Sequence, residues 1–144
     1  MITTLTPNPC IDKTVAVEKF DIYKMNRVRV LRTDACGKGI NVSIVLSNLG
    51  QETTALGFIA GFTGEEIKRQ LALKGVVSDF VHLSEGFTRI NVKIKANVET
   101  EINGQGPYIS ESKREELFVK LDNLIEGDTL VLSGSVPKTL PNDM

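Results

Sequence analysis

The sequence predicts an α/β protein in which strands and helices alternate along the chain. Its apolar residues switch repeatedly between the two-residue period of a strand and the spacing of an amphipathic helix, a pattern typical of neither an all-α nor an all-β protein. Glycines follow the helical segments, where helices commonly end. With 41% hydrophobic and 24% charged residues in 144, the chain has the composition of a globular domain that can bury a core.

The first half of the chain shows this alternation clearly. Residues 2–6 alternate as a strand, and Pro7 and Pro9 then predict an irregular loop that carries Asp12. Gly50 and Gly75 mark the ends of two helical patterns. The elements predicted as far as residue 83 are strands at 2–6, 14–17, 27–33, 53–60 and 79–83, and helices at about 40–49 and 65–74.

The strictest pattern in the second half runs from Thr88 to Lys95. Ile90, Val92 and Ile94 fall on one face of this predicted strand, and the opposite face is basic. The other elements predicted here are a hairpin partner at 98–103, a helix from a Ser112–Glu115 capping box to about residue 126, a strand at 129–132, and a helix onset at 139–144.

Charge and cysteine content exclude several classes of function. A net charge of -1 provides no global field for a polyanion, so no nucleic-acid partner is expected. Cys10 and Cys36 are too few for a disulfide scaffold and lack paired metal-ligand spacing, so no metal site is expected. No secretory pattern or long apolar run is present, which predicts a cytoplasmic protein without a membrane partner.

A glycine-rich corner precedes the first predicted helix. Free amides and the positive end of the helix dipole at such a position suit an anion or a sugar hydroxyl. The corner is not a Walker A loop, because Gly39 follows Lys38 where that motif requires Ser or Thr. It is not a dinucleotide fingerprint either, since Val42 stands where the third glycine should be.

Several short motifs occur in order along the chain, and each taken alone is a common turn or strand end. They are Thr6-Pro7-Asn8-Pro9-Cys10-Ile11-Asp12, Gly37-Lys38-Gly39-Ile40-Asn41-Val42-Ser43, Gly57-Phe58, Gly61-Phe62-Thr63-Gly64, Thr88-Arg89-Ile90-Asn91-Val92-Lys93, Thr100-Glu101-Ile102-Asn103-Gly104 and Ser133-Gly134-Ser135-Val136-Pro137. In this order and spacing the sequence resembles the amino-terminal half of the PfkB branch of the ribokinase-like carbohydrate kinases. The resemblance covers essentially the whole chain.

The resemblance implies a ribokinase-like fold. Its three-layer α/β/α core is Rossmann-like and here incomplete, and a small β-sheet acts as a lid. Residues 1–144 would form the amino-terminal part of a single kinase domain, with the nucleotide-binding half outside the chain. A homodimer through the lid is also implied. The lid strands implied are at about 13–18, 27–33, 88–95 and 98–103.

The resemblance also implies an activity. Within the family the likeness is strongest to enzymes that use ATP and Mg²⁺ to phosphorylate fructose 1-phosphate at its 6-hydroxyl. Tagatose 6-phosphate and fructose 6-phosphate are alternative substrates, and a non-catalytic sugar-phosphate-binding relic is an alternative of another class. The family's Gly-Ala-Gly-Asp segment is absent from these residues, so no catalytic residue and no cofactor or metal ligand is expected in this chain.

The residues implied at the substrate site match the family's motifs. Asp12 would bind sugar hydroxyls, and the basic strand face would grip the existing phosphate. One departure is Cys36, which replaces the first of two glycines usual in the family; its Cβ and thiol would crowd the sugar if the backbone requires a positive φ. The implied substrate-binding residues are Asp12, Gly37, Lys38, Gly39, Asn41, Arg89, Asn91, Lys93, Ser133 and Ser135, with Arg27 as a further candidate.

Overall fold

The computed structural model describes residues 1–138 and 140, which form two β-sheets and three helices. The helix onset predicted at 139–144 lies almost entirely outside these residues. The elements in chain order are β1 (Ile2–Thr6), β2 (Cys10–Ala16), β3 (Arg29–Cys36), α1 (Lys38–Asn48), β4 (Thr53–Ala60), α2 (Gly61–Leu73), β5 (Val77–Ser78), β6 (Val81–Leu83), β7 (Arg89–Lys95), β8 (Thr100–Asn103), α3 (Glu111–Leu121) and β9 (Thr129–Leu132).

The main sheet is parallel throughout its described part. Its strands lie in the order β5-β4-β1-β9, and β6 pairs with β4 further along the same edge. Leu5 of β1 lies between Leu56 of β4 and Leu132 of β9. Parallel strands connected by helices need cover on both faces, which explains the nearly continuous burial of β4.

Alternate residues of β4 define the two covered faces of the main sheet. Leu56 and Phe58 belong to the core cluster that contains Leu117 of α3. Ala55 and Ile59 belong to the other cluster, which includes apolar residues of α1 and α2. Helices therefore cover both faces, and the predicted α/β/α layering is confirmed.

The second sheet, called the small sheet from here on, consists of β3-β2-β7-β8. Strands β2 and β7 pair in parallel, whereas the outer pairs are antiparallel. The predicted loop around Asp12 was wrong, because β2 begins at Cys10 directly after Pro9. A proline at the entry of a strand removes no hydrogen bond that the ladder needs. Strand β3 correspondingly runs on to Cys36, beyond its predicted end.

Two elements begin or break where the pattern did not predict. Helix α2 starts at Gly61 rather than residue 65, since Thr63 is buried and its hydroxyl donates to the Thr88 carbonyl at 2.8 Å. The strand predicted at 79–83 is shorter, at Val81–Leu83 (β6), and a separate two-residue strand, β5, precedes it at Val77–Ser78. The Asp79 amide between them donates to the Ala55 carbonyl, which carries the chain along β4.

Helix α3 is shorter than the sequence predicted. Ser110 is its N-cap residue, without a side-chain capping bond, so Ser112 lies inside the helix rather than in a capping box. The helix ends at Leu121 because the following turns use other acceptors, and the Ile125 amide donates to Oδ2 of Asp128 at 3.1 Å. Among the described residues, no helix is long and apolar enough to cross a membrane.

Gly57 provides a test of the contact between β1 and β4. Its φ is 152°, and a Cβ there would collide with the Thr6 carbonyl oxygen on the neighbouring strand. We expect Gly57→Ala to lower the free energy of unfolding by roughly 2–4 kcal/mol, from backbone strain and overpacking together. Urea unfolding followed by circular dichroism measures this change.

Gly50→Ala is the matched control. Gly50 also has a positive φ, 78°, but a Cβ at this position meets nothing within 4 Å. The free energy of unfolding of the Gly50→Ala variant should fall by only about 1 kcal/mol, the cost of the left-handed backbone alone. Equal losses in the two variants would contradict the close approach at Gly57.

Candidate functional site

A polar cleft of about 210 Å³ lies where the small sheet faces the carboxyl end of β1 and the start of α1. Ligands in open α/β sheets commonly bind beyond the carboxyl ends of the parallel strands, where this cleft opens. Its lining residues are Thr6, Asn8, Cys10, Asp12, Cys36, Gly37, Lys38, Asn41, Arg89, Asn91, Lys93, Glu101, Asn103, Gly134 and Ser135.

Strand register brings the polar side chains of the small sheet onto one face. In the parallel pairing of β2 with β7, Asp12 lies opposite Asn91, and Cys10 lies opposite Arg89. Residues directly opposite each other, and residues two apart on one strand, point to the same face. The basic face predicted for β7 is therefore the face that meets Asp12, and it turns towards the cleft.

Asp12 is the buried acid of the cleft. Its Oδ2 lies 2.8 Å from Nζ of Lys93, and its Oδ1 accepts from the Asn91 amide at 3.1 Å. Burial opposes ionisation of this carboxyl, but hydrogen bonds from Lys93, Cys10, Cys36 and Asn91 prevail and hold its pKa below the ordinary value. The hydrogen bond to Asp12 raises the pKa of Lys93, so the two form an ion pair.

The glycine corner forms the opposite wall of the cleft. Gly37 is the N-cap residue of α1, with φ at 151°, and has no side chain to cap the first turn. The Ile40 amide donates to Oγ1 of Thr6 at 3.0 Å, which fixes the helix start against the end of β1. Lys38 and Asn41 remain exposed at the rim. The positive end of the α1 dipole thus faces the cleft.

Arg89 joins the small sheet to two loops. Its Nη2 donates to the Asn8 carbonyl at 3.0 Å and its Nη1 to the Gly104 carbonyl at 3.4 Å. Within the described part of the chain, its buried Nε and Oδ1 of Asn91 have no hydrogen-bond partner. Buried polar atoms are usually paired, so a donor and an acceptor are available here for a ligand.

The cysteines in the cleft interact with each other and with Asp12. The hydrogen bond from Cys10 lowers the pKa of Cys36 to about 7, although burial and the nearby Asp12 oppose this. The same hydrogen bond, together with burial and the Asp12 charge, raises the pKa of Cys10. Cys36 lies in β3, and among the described residues only glycines have a positive φ, so the condition under which its side chain was expected to crowd the sugar is not met.

The structure brings most of the residues implied at the substrate site into one cleft, with three exceptions. Gly39 is buried behind the corner, where a Cβ would approach Oγ1 of Thr6 to 2.6 Å. Ser133 donates its amide to the Leu5 carbonyl at the sheet and is not in the lining. Arg27 is exposed in the connection before β3 and is also outside the lining. The residues brought together are Asp12, Gly37, Lys38, Asn41, Arg89, Asn91, Lys93 and Ser135.

Sequence reasoning did not assign several lining residues to the site. Glu101 and Asn103 of β8 reach the cleft because they lie opposite Lys93 and Asn91 in the antiparallel pairing. The strict alternation of β7 could have indicated them once β8 was placed as its hairpin partner. The other lining residues without an assigned role were Thr6, Asn8, Cys10, Cys36 and Gly134.

Comparison with known proteins identifies the family of this chain. Residues 6–144 match the family model described as pfkB family carbohydrate kinase. The chain belongs to the pfkB family of carbohydrate kinases. The site residues above therefore lie within the part of the chain that matches a kinase family.

Individual relatives show which members of the family this chain is similar to. The chain is 47% identical to a 1-phosphofructokinase of Borreliella burgdorferi, with 99% of this chain and 47% of the relative covered. It is 40% identical to a D-tagatose-1-phosphate kinase of Bacillus licheniformis, with 100% of this chain and 47% of the relative covered. It superposes with a TM-score of 0.91, at 26% identity, on phosphofructokinase-2 of Escherichia coli in complex with substrates and products. This superposition covers 99% of this chain and 47% of the other. The chain thus spans about half the length of these relatives.

The pfkB family implies ATP and a divalent cation, so a nucleotide-bound Mg²⁺ is one group that the cleft could hold. Mg²⁺ requires several oxygen ligands in near-octahedral geometry. Asp12 is the one buried carboxylate among the lining residues, which also include two thiols and three cationic side chains. The cleft therefore does not fit the metal–nucleotide group and is suited to a polar, anionic organic ligand.

The Asp12–Lys93 pair predicts a pH-dependent effect of Lys93→Met. The variant leaves a buried carboxylate without its cation. At about pH 7 its free energy of unfolding should therefore be about 2 kcal/mol lower than that of wild type, a value between those typical of breaking an exposed and a buried ion pair. A lowered pKa contributes stability above the ordinary value of 3.8, and this contribution disappears as pH falls through the folded-state value. The difference from wild type should shrink towards acid pH.

Lys13→Met is the control for this measurement. Lys13 lies on the same strand as Asp12 but on the opposite face, and it is exposed. Denaturant unfolding of both variants at a series of pH values should show little change for Lys13→Met. A loss for Lys93→Met that stays the same from neutral to acid pH would contradict the ion pair.

Proposed function

We propose that the cleft holds fructose 1-phosphate for an ATP-dependent 1-phosphofructokinase, which transfers the γ-phosphoryl group to the 6-hydroxyl and forms fructose 1,6-bisphosphate. The observation that carries this proposal is a buried Asp12 carboxylate, ion-paired with Lys93, in a cleft whose lining also includes further cationic and amide side chains. A carboxylate accepts hydrogen bonds from hydroxyls, and the cations attract a phosphate. Both groups occur together in a phosphorylated ketose.

The cleft offers separate donors for the two ends of such a ligand. Asp12 would accept from sugar hydroxyls, and the Asn41 amide at the rim would bind another hydroxyl. Arg89 would direct its unpartnered Nε at the phosphate, while Lys38, which has no ion pair among the described residues, would add a mobile positive charge. The positive end of α1 favours the same anion.

Phosphoryl transfer depends mainly on alignment and on stabilisation of charge. In our proposal this chain supplies the alignment of the sugar phosphate. ATP and Mg²⁺ would bind to the part of the enzyme that corresponds to the remaining half of its relatives, which would also carry the base. We therefore expect the chain by itself to bind fructose 1-phosphate without turning it over.

The proposal extends to assembly and location. Strands β3 and β8 are the edges of the small sheet, and they carry exposed apolar side chains, including Val30, Leu31 and Ile102. An apolar sheet edge tends to associate with another chain, which supports a homodimer formed through the small sheet. Both cysteines are unpaired, as is usual in a reducing cytoplasm, where we place the protein.

A tagatose phosphate is the second candidate substrate. The Bacillus licheniformis relative is named for tagatose 1-phosphate, and its identity to this chain is close to that of the 1-phosphofructokinase. The two ketose phosphates differ in one hydroxyl configuration, and a site built to bind a hydroxyl discriminates against its misplacement. Competition of fructose 1-phosphate, tagatose 1-phosphate and fructose 6-phosphate for the purified chain would rank the three sugars by affinity.

The binding role is tested with two variants of cationic residues. We expect Arg89→Ala and Lys38→Ala each to weaken fructose 1-phosphate binding by about 1.5–3 kcal/mol, the usual scale for a hydrogen bond to a charged group. Isothermal titration calorimetry with the purified chain measures the dissociation constants. Lys38 is needed as the second variant because Arg89 also holds two loop carbonyls.

Lys95→Ala is the matched control for the loss of one positive charge. Lys95 lies on the same strand as Arg89 but outside the cleft, where it pairs with Glu99 at 3.8 Å. Its dissociation constant should equal that of wild type. Unchanged affinity in both cleft variants would contradict the phosphate site. Robust turnover of the chain with Mg-ATP would contradict our assignment of the catalytic machinery elsewhere, whereas absent sugar binding would contradict the proposal itself.

A further inference from the structure

Three potential metal ligands meet at the floor of the cleft, although their sequence spacing did not indicate a metal site. Cys10 and Asp12 are two residues apart on β2 and share one face, and Cys36 lies directly opposite Cys10 on β3. One ligand atom from each residue lies within 4.8 Å of the others. Cys10 Sγ is 3.3 Å from Oδ1 of Asp12. Donors around a tetrahedral zinc ion stand roughly 3.5–3.8 Å apart, so small rotamer changes would suffice.

Side-chain amides lie beside both sulfur atoms of this Cys10–Asp12–Cys36 cluster. The Asn91 amide donates to Cys10 Sγ at 3.3 Å, and the Asn41 amide lies 3.8 Å from Cys36 Sγ. Lys93 holds Oδ2 of Asp12, while Oδ1 accepts from the Asn91 amide at 3.1 Å and lies 3.3 Å from the Cys10 thiol. Hydrogen bonds of this kind orient metal ligands and stabilise their anionic forms.

The cluster is also balanced in charge if a divalent cation is present. Two thiolates and one carboxylate would together be neutralised by the cation and the Lys93 ammonium. A coordinated thiol loses its proton, so the ion replaces the proton that Cys10 now shares with Asp12. The unpartnered Oδ1 of Asn91, whose residue is 8% exposed and lines the same cleft, is a second acceptor close to the cluster.

We propose that Cys10, Cys36 and Oδ1 of Asp12 bind a thiophilic divalent cation of the Zn²⁺ class at the floor of the cleft, with a water molecule as the fourth ligand. Sulfur donors select such a cation over Mg²⁺ or Ca²⁺. Binding releases the two thiol protons to solvent, and no oxidant or reductant is involved. The ion occupies the carboxylate oxygen that the cleft otherwise presents to a ligand.

A consequence follows for the sugar phosphate, and it rests on the proposed function. If Asp12 binds sugar hydroxyls, the cation and the sugar compete for the same carboxylate. Zinc would then act as an inhibitor that occupies the sugar site, and fructose 1-phosphate would weaken cation binding by the same factor, since linkage is reciprocal.

The test is titration of the purified, reduced chain with Co²⁺, which reports its ligands by absorption. We expect thiolate-to-cobalt charge-transfer bands and tetrahedral d–d bands that saturate at one equivalent and disappear when Zn²⁺ is added. Cys36→Ser and Cys10→Ser should each lose about half of the charge-transfer intensity and weaken binding at least about tenfold, the scale for loss of one ligand or its support. Asp12→Asn should weaken binding with both thiolate bands retained.

His82→Gln is the control for adventitious binding. His82 lies outside the cleft, 3.4 Å from Glu65, and such a surface pair can hold a metal ion weakly. Its bands should match those of wild type. Circular dichroism checks that each variant folds, and protection of both thiols from alkylation by Zn²⁺ provides a measurement on the unaltered chain. Absence of thiolate bands in wild type, or bands unchanged in Cys36→Ser, would overturn the site.

A final titration separates the metal site from the proposed function. Fructose 1-phosphate added to the cobalt-loaded chain should lower the apparent affinity for Co²⁺. Intact cobalt bands that the sugar does not affect, in a chain that binds the sugar, would preserve the metal site and reject the competition. Cobalt bands in a chain that does not bind the sugar would preserve the metal site and count against the proposed function.

Discussion

The parallel pairing of β2 with β7 is the constraint on which the cleft depends. It places Asp12 opposite Asn91, and it brings Lys93 to 2.8 Å from the Asp12 carboxylate. A slip of one residue would turn every one of these side chains to the other face of the small sheet. The buried carboxylate and its cation would then be separated, and each would lose the partner that offsets its desolvation. Register and electrostatics therefore support each other here.

The main sheet supplies the rigid side of the cleft. β1 ends at Thr6, whose hydroxyl accepts from the first turn of α1, and Gly39 allows that helix to approach the strand closely. Cavities built on packed strands and helix starts hold their donors with little freedom. The polar groups of the small sheet thus face a fixed anion-attracting helix end, and a ligand between them meets hydrogen-bond partners that are already positioned.

The sequence predicted most of the elements because their signals are local. The alternation over Arg89–Lys95 indicates a strand, and the glycines that follow the helices indicate where the helices end. Both signals can be recognised without reference to the rest of the chain. The start of β2 and the parallel β2–β7 pairing depend on contacts about eighty residues apart, which no local pattern encodes. The same limit explains why the sequence predicted a loop around Asp12, and why the spacing of Cys10 and Cys36 did not indicate that they lie opposite each other. The site residues came mainly from ordered motifs of a family.

The proposed metal site and the proposed sugar site follow from one physical feature. A carboxylate that stays ionised while buried is poised to accept either hydroxyl protons or a cation, because both stabilise the same negative charge. Lys93 pairs with Oδ2, whereas Oδ1 accepts from the neutral Asn91 amide and has a further lone pair for a ligand. Cys36 adds a second soft donor on the facing strand, which a glycine at this position would not provide. In our proposals, Cys36 therefore extends the ligands of the cleft from hydroxyls to a thiophilic cation.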